Sequence, residues 1–575
     1  MSETTVEQKS TPYRKTKLAL LIGFAIYAAL LVAGIPQKWT RAQFSHHNEP
    51  SEVAAVENGA ETEIGSSAEA EADEGAELEA PVHYPPIWTS IPFAALLLCI
   101  AILPLIPATE HWWESNLHRF LVAAGLALLT LAYYAFLYPH PIEAHWPTHQ
   151  VVSQEASWLA KGSTIFVNAI VGEYVSFIVL LFSLFAITGG IRITGDLKAS
   201  PLVNSSILGI GALLASFVGT TGAAMLLIRL LLETNKFRKH KIHTIVFFIF
   251  CVCNAGGCLL PIGDPPLFLG YLRGVGFLWT FSLWKEWLFV CGLLIGLYYL
   301  LDAFVLYPKE TPLDKVVDDV MREPLRVQGL FPNLFCLVGV VLAVMLLDPA
   351  QEFLSLFGVK TGFYPPMFLR ECVQLLMVFL SFALGSNKIR KENDFNFGAI
   401  VEVAALFFGI FICMQAPLQI LNAKGAELTA AVDKYGSKIK LNEPKEFFWL
   451  SGCLSSVLDN APTYVVFFET AKAAADGELE EAKKSGDVEK AEEMEAELKS
   501  ASEKSGVRIP LALLVAVSLG SVFMGAMTYI GNGPNFMVKA IAEQSGVKMP
   551  SFFGYMGYSV CILLPILIVM TIVFL

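Results

Sequence analysis

Two acidic residues stand inside apolar stretches, each among glycines, prolines and small polar side chains. Asp264 lies in Ile262-Gly263-Asp264-Pro265-Pro266, and Asp459 lies in Ser455-Ser456-Val457-Leu458-Asp459-Asn460-Ala461-Pro462-Thr463. An ionisable group at membrane depth costs about 3 kcal/mol or more unless it pairs, holds an ion or takes up a proton. The chemistry these positions suit is therefore cation or proton binding, with Asp264 and Asp459 as the expected Na+ ligands. Around them stand the oxygens of Ser216, Thr220, Thr221, Ser456, Asn460, Thr463, Thr528, Asn532 and Asn535, hard donors that fit an alkali cation better than a soft metal. Each hydroxyl could equally bond its own helix backbone. Asn254, just ahead of Gly256-Gly257, is placed to orient a loop by hydrogen bonding. Gly263 and Pro265 interrupt the helix and free backbone groups, which lipid tolerates only where they face protein or a water-filled site.

The elements that must position these residues occur twice. In the first half, Glu173 leads a run to Ile191. A hairpin follows with Ala215-Ser216-Phe217-Val218-Gly219-Thr220-Thr221-Gly222 at its break, then a long broken helix carrying Asn254 and Asp264. In the second half, Glu402 leads a run to Ile420. A hairpin breaks at 455–463, and a broken helix holds Thr528-Tyr529-Ile530-Gly531-Asn532-Gly533-Pro534-Asn535. Ile-Gly-Asp-Pro-Pro and Ile-Gly-Asn-Gly-Pro superpose. An inverted-topology repeat of this kind, with discontinuous helices meeting near the midplane, is the architecture of secondary transporters. Glu173 and Glu402 are expected either to cap the helices they begin or to serve the site. Arg229, Arg273, Asp302, Arg370, Glu371 and Lys539 lie towards span ends and are expected to snorkel or pair.

Composition bounds the rest. Of 575 residues, 55% are hydrophobic and only 16% charged, and mean hydropathy is +0.56. This excludes large water-soluble catalytic domains and predicts an all-α polytopic membrane protein, with about 20 apolar residues per span. The net charge of -12 sits in two polar segments, so nucleic-acid binding is not expected. The ten cysteines fall almost wholly in apolar stretches without a CxxC pair and read as small hydrophobes. His140, His145, His149 and Glu143 cluster in one loop but match no closed zinc spacing. No Walker, nucleophile-elbow or HExxH motif occurs, so an enzyme, direct ATP drive and a resident cofactor are not expected.

The chain divides into an N-terminal tail and anchor helix (1–44), an acidic disordered extracytoplasmic linker (45–86) and accessory helices with a loop (87–160). The first repeat (161–306) holds a hairpin at 202–233 and a broken helix at 244–276. Connecting and scaffold helices (307–397) precede the second repeat (398–575), with a hairpin at 446–470, a polar helical insertion at 471–507 and a broken helix at 508–545. The linker is rich in Glu, Ala, Ser and Gly and carries no Lys or Arg from 49 to 79. The insertion has i,i+4 charges such as Glu480 with Lys484 and reads as solvated helix. At the N-terminus, Arg14, Lys15 and Lys17 precede the apolar run 18–35 without a small-x-small cleavage site, which favours an uncleaved anchor over a signal peptide. Lys and Arg at 14–17, 192–198, 236–241, 309–326 and 388–391 place those loops and the N-terminus in the cytoplasm. The lysines of 424–445 are a mild exception, mixed with acids. This count makes the two hairpins enter from opposite sides.

At these residues the sequence resembles the ion transporter superfamily that includes NhaD-type Na+/H+ antiporters, arsenite permeases and citrate or dicarboxylate transporters. The resemblance covers roughly residues 160–575. Asn254 to Trp279 with its Ile262-Gly263-Asp264-Pro265-Pro266 core, Ser455 to Pro462 and Tyr529 to Asn535 look like a branch variously labelled sodium:proton antiporter or citrate transporter. The resemblance implies a moving transport domain of two hairpins and two broken helices on a scaffold that often dimerises; the N-terminus, without transit-peptide features, suits a bacterial inner membrane among lipids. The Ser-Asn-Thr tips of dicarboxylate carriers are absent. An Asp at a tip and another at a break would repel a polyanion and attract Na+. The first expectation is therefore Na+ or Li+ exchange for H+. The alternative is Na+- or H+-coupled uptake of citrate or a related carboxylate, with the acids holding the coupling ion and Arg or backbone amides holding the anion. A channel or receptor-like protein is disfavoured by the paired broken helices.

Overall fold

Long runs of Leu, Ile, Val and Phe can satisfy their backbone groups within hydrocarbon only as helices. In the computed structural model, which describes residues 13–44, 84–144, 150–311, 323–423 and 443–575, those runs are helical. Eight helices among the described residues are long and apolar enough to cross a bilayer. The protein is an all-α polytopic membrane protein. Two small antiparallel ribbons interrupt the helical pattern: Ile142–Ala144 with Gln150–Val152, and Arg192–Asp196 with Glu323–Gln328. No strand period in the apolar runs announces either. The acidic linker from 45 to 83, the loop 145–149 with His145 and His149, and the lysines of 424–442 lie outside the described residues.

The helix Arg14–Val32 docks on the helix Leu369–Leu384. Tyr13 stacks on Phe382 at 5.1 Å, and the Tyr27 hydroxyl donates to the Met367 carbonyl at 2.6 Å. Nearby, Arg390 is wholly buried without an acid partner among the described residues. Its guanidinium donates to Ser381 Oγ (2.6 Å) and the Ala186 carbonyl and lies 4.2 Å from the centroid of the Phe382 ring. The carbonyl belongs to the last turns of the helix Val175–Thr188, where the helix dipole favours a cation.

The first hairpin consists of Pro201–Val218 and Thr220–Thr234, and the first broken helix of Ile242–Cys251 and Pro265–Leu272. The second hairpin consists of Pro444–Val457 and Asn460–Ser485, and the second broken helix of Leu511–Met524 and Gly533–Gln544. Contacts cross between halves. The return arm of each hairpin packs on the second half of the other repeat's broken helix, and Gly270 sits against the Tyr464 ring.

One boundary differs from the sequence reading. The second hairpin does not end near residue 470. Its return arm runs unbroken to Ser485, and after Gly486 (φ 72°) the helix Val488–Ser505 comes back beside it. Ala475, Leu479, Ala482, Ala491 and Leu498 form the seam, and Lys484 bonds Glu480 at 2.9 Å. Alanine, glutamate and lysine favour helix strongly, so nothing local stops the arm where its apolar character fades. The Ser505 carbonyl then accepts from Gly276 N at 2.7 Å, returning the chain to the first broken helix.

Small residues allow the second hairpin to cross its broken helix closely. A Cβ on Gly520 would stand 2.5 Å from the Phe448 carbonyl oxygen, and Ser455 Oγ donates to the Ser521 carbonyl at 2.7 Å. We expect Gly520→Leu to cost about 3 kcal/mol, as overpacking does, seen as a lowered melting temperature in detergent. Gly292→Leu, where nothing lies within 4 Å of the added carbon, should leave it unchanged.

Candidate functional site

Four chain segments meet because two breaks are crossed by two hairpin tips. At the first tip Gly219 takes φ 80°, ψ 150°, a conformation open mainly to glycine, and Thr220 begins the return arm. Thr220 N donates to the Gly263 carbonyl at 2.8 Å. At the breaks, Asp264 (φ -142°, ψ 142°) and Asn532 (φ -153°, ψ 136°) are the extended residues immediately before the second half-helices. The two repeats are thus equivalent in backbone at the breaks. The preceding glycines are required by closeness: a Cβ on Gly263 would overlap the Gly257 carbonyl, and one on Gly531 would lie 2.6 Å from the Gly525 carbonyl and 2.8 Å from that of Ser455.

The Asp264 carboxylate is 1% exposed. Its Oδ1 accepts from Thr220 Oγ1 at 3.0 Å and Asn532 Nδ2 at 3.2 Å, and its Oδ2 accepts from Asn460 Nδ2 at 2.8 Å. Every one of these donors is neutral. Asn460 Oδ1 is buried without a hydrogen-bond partner, a free lone pair next to the carboxylate it serves. A chain of amides extends the cluster: Asn532 Nδ2 also reaches Asn254 Oδ1 (3.2 Å) and the Cys253 carbonyl (3.0 Å), and Asn254 Nδ2 donates to Asn535 Oδ1 (2.8 Å). Asn535 Nδ2 in turn ties the Gly525 and Thr528 carbonyls at 2.9 and 3.0 Å. Asn254 and Asn535 thereby lock one broken helix to the other.

Several expected oxygens do other work. Ser216 Oγ donates to the Gly256 carbonyl at 2.6 Å and accepts from Leu259 N. Ser456 and Thr463 donate to the carbonyls of Cys453 and Asp459 on their own chain segment (2.7 and 3.0 Å), and Thr528 donates to that of Ser456 (2.5 Å). Their protons go to carbonyls, the cheapest partner within a helical or broken-helix backbone. Asp459 stands outside the hydrogen-bond cluster of Asp264. It makes no hydrogen bond to Asp264, and its carboxylate caps its own arm by accepting from Ala461 N at 3.2 Å. It is half-buried and lines the adjoining cavity.

That cavity has a volume of about 380 Å³. Thr220 and Thr221, Pro265, Asp459 and Gly533 belong to its wall, which brings the starts of four helices onto one space. Gly263 and Asn532 also line it, and Phe177, Leu181, Leu406 and Phe407 make apolar stretches. A wall largely apolar with a few convergent polar groups is the ordinary form of a small-molecule site. Each helix N-terminus carries about half a positive charge.

Glu173 and Glu402 cap no helix. Glu173 stands in a π turn, Asn168–Tyr174, within a long helix and accepts from Arg273 Nη2 at 2.7 Å, with Glu469 on the other side of the same arginine at 3.3 Å. Glu402 lies within Gly398–Cys413 and pairs with Arg119 at 2.7 Å. The span-end charges pair as expected: Arg229 with Asp394, Asp302 with Arg238 and His243, Arg370 with Glu371, and Lys539 with Glu543. Among the described residues no three His, Cys, Asp or Glu side chains gather closely enough to hold a metal ion. Of the loop cluster weighed against zinc, only His140 and Glu143 are described.

A family profile described as "Putative citrate transport" matches residues 82–575. The chain belongs to this family. Its membership spans the accessory helices as well as both repeats, so the citrate-transport family segment includes Arg119. A comparison with curated proteins found no match. Arg119 is the cavity residue that the sequence reading passed over. The available signal was one arginine just inside the apolar run 118–137, facing a second apolar run that carries one glutamate.

Ser216→Ala should leave the Gly256 carbonyl and Leu259 N unpaired in a buried place, costing about 1–3 kcal/mol. A melting temperature lowered by several degrees in detergent would bear this out, whereas an unchanged one would show that Ser216 does not hold the break together.

Proposed function

We propose that the protein is a secondary active transporter of citrate or a related carboxylate, coupled to Na+ or H+. The observation that carries this reading is the convergence of four helix N-termini on one cavity beside a buried acid whose hydrogen-bond partners are all neutral. The N-termini attract an anion. The uncompensated charge of Asp264 calls for a cation or a proton, and Asn460 Oδ1 and Thr220 Oγ1 are oxygens suited to completing an alkali-ion shell. With that ion bound, the repulsion between Asp264 and a carboxylate disappears, so the ion enters as a condition for the anion. Coupling follows from this dependence.

In this account the two hairpins and broken helices move together against the surrounding helices, and the opposed entry of the hairpins gives alternating access. The lysine and arginine pattern supports a cytoplasmic N-terminus in a cell (inner) membrane, and the scaffold helices are candidates for a homodimer. One observation favours a second reading, Na+ or Li+ exchange for H+ as in NhaD-type relatives: the donors around Asp264 would serve a cation or proton carried without an anion.

Asp264→Asn should abolish accumulation of radiolabelled citrate in proteoliposomes while the protein still inserts. It removes about 3 kcal/mol of charge-assisted bonding, worth roughly a hundredfold. Asp459→Asn, which keeps a helix-capping oxygen, should lose less than about tenfold. Equal losses in both variants would restore the two-acid site, and full uptake by Asp264→Asn would remove the proposed ion ligand.

A further inference from the structure

Besides the four helix starts, the cavity has a charged pair in its wall, Arg119 and Glu402. Arg119 is the one basic side chain among the described residues that line it. It comes from the helix Asn116–Ala132, ahead of both repeats, and Glu402 comes from Gly398–Cys413, which packs along it. Arg119 is 9% exposed. Its Nη1 reaches Glu402 Oε2 at 2.7 Å and Asn116 Oδ1 at 2.9 Å, while its buried Nε has no hydrogen-bond partner. The guanidinium is therefore half used. Glu402 engages one nitrogen, and the Nε edge, which forms half of the fork that grips carboxylates in two parallel bonds, is idle. Arg238 and Arg390 also keep a buried Nε without a hydrogen-bond partner, but of the three only Arg119 lines the cavity, where a ligand can supply the missing acceptor.

We propose that Arg119 is the second anchor of the transported anion, and that Glu402 competes with a substrate carboxylate for it. The inference rests on the carboxylate reading of the cavity. One carboxylate lies at the helix starts near the ion held by Asp264, and another takes the Arg119 fork. The side chain of Glu402 is 40% exposed and lines the cavity, so it has room to swing aside when it is displaced. Its competition for Arg119 sets a threshold that a monocarboxylate, already committed at the helix starts, does not pass. The cavity thus selects di- and tricarboxylates by the distance between two poles, and a lysine at 119 would keep the charge but lose the fork.

The test uses full-length protein in proteoliposomes, with labelled citrate uptake competed by unlabelled citrate and by its dimethyl ester, which keeps a single carboxylate. The wild type should prefer citrate. The neutral double variant Arg119→Gln/Glu402→Gln, which leaves no unpaired charge behind, should raise KM about tenfold or more and make the two competitors equal. Arg119→Lys should fall between, and Glu402→Gln should lower KM by freeing the arginine. A purely structural pair would lower expression or melting temperature but leave the citrate-to-ester ratio at its wild-type value. That result, in protein that still takes up citrate, overturns the second anchor alone. Absence of carboxylate uptake by the wild type overturns the substrate reading and this inference together.

Discussion

The carboxylate of Asp264, buried and held by three neutral donors, is the constraint on which the centre of the protein depends. Thr220 comes from the first hairpin, Asn460 from the second and Asn532 from the second broken helix. Each can reach Asp264 only if both tips and both breaks are in place. A buried charge without a counter-charge is stabilised by bonds from fixed dipoles, so the acid draws the four segments together. The same arrangement leaves it ready for an ion. Asn254 and Asn535 add neutral links between the breaks, which fixes the crossing without adding a cation that would satisfy Asp264 permanently.

Away from that centre, charge is handled differently. Arg238 with Asp302 and His243, Arg273 between Glu173 and Glu469, and Arg370 with Glu371 are buried or half-buried pairs. Removing one partner of such a pair strands the other, which is costly. The Arg238 and Arg273 pairs join segments distant in the chain and act as fixed ties, while Arg370 and Glu371 are neighbours on one helix. Asp264 is held by neutral donors instead, and Arg119 gives only part of its donor edge to Glu402.

Much of the architecture was legible in the sequence because glycine, proline and long apolar runs act locally. Gly219, the Ile262-Gly263-Asp264 and Ile530-Gly531-Asn532 breaks, and the tip at Asp459 are where those residue types place them. Which oxygens converge was not legible. Thr220 and Thr528 look alike in sequence, yet one bonds Asp264 and the other a backbone carbonyl, a difference set by how separate segments register against each other. Nor was it legible that Asp459, one residue before the arm, would both cap it and stand in the cavity wall. Glu402 stood out as the acid leading the second repeat's run, but its meeting with Arg119 comes only through packing of distant helices. The extension of the second hairpin to Ser485 was hidden because a change from apolar to charged residues marks a change of solvent, while the helix itself continues.

The family, the cavity and the state of Asp264 come together in one claim: a cation and a carboxylate occupy the same space and depend on each other. Proteoliposomes with an internal pH dye and an imposed pH gradient, given Na+, Li+, K+, citrate and succinate singly and then in cation–carboxylate pairs, test it most directly. The account predicts a dye response that requires a carboxylate together with its coupling ion, whether Na+ or H+, and that disappears with Asp264→Asn. A response of the same size to Na+ or Li+ alone, indifferent to carboxylate, would contradict it and assign the protein to cation/proton exchange.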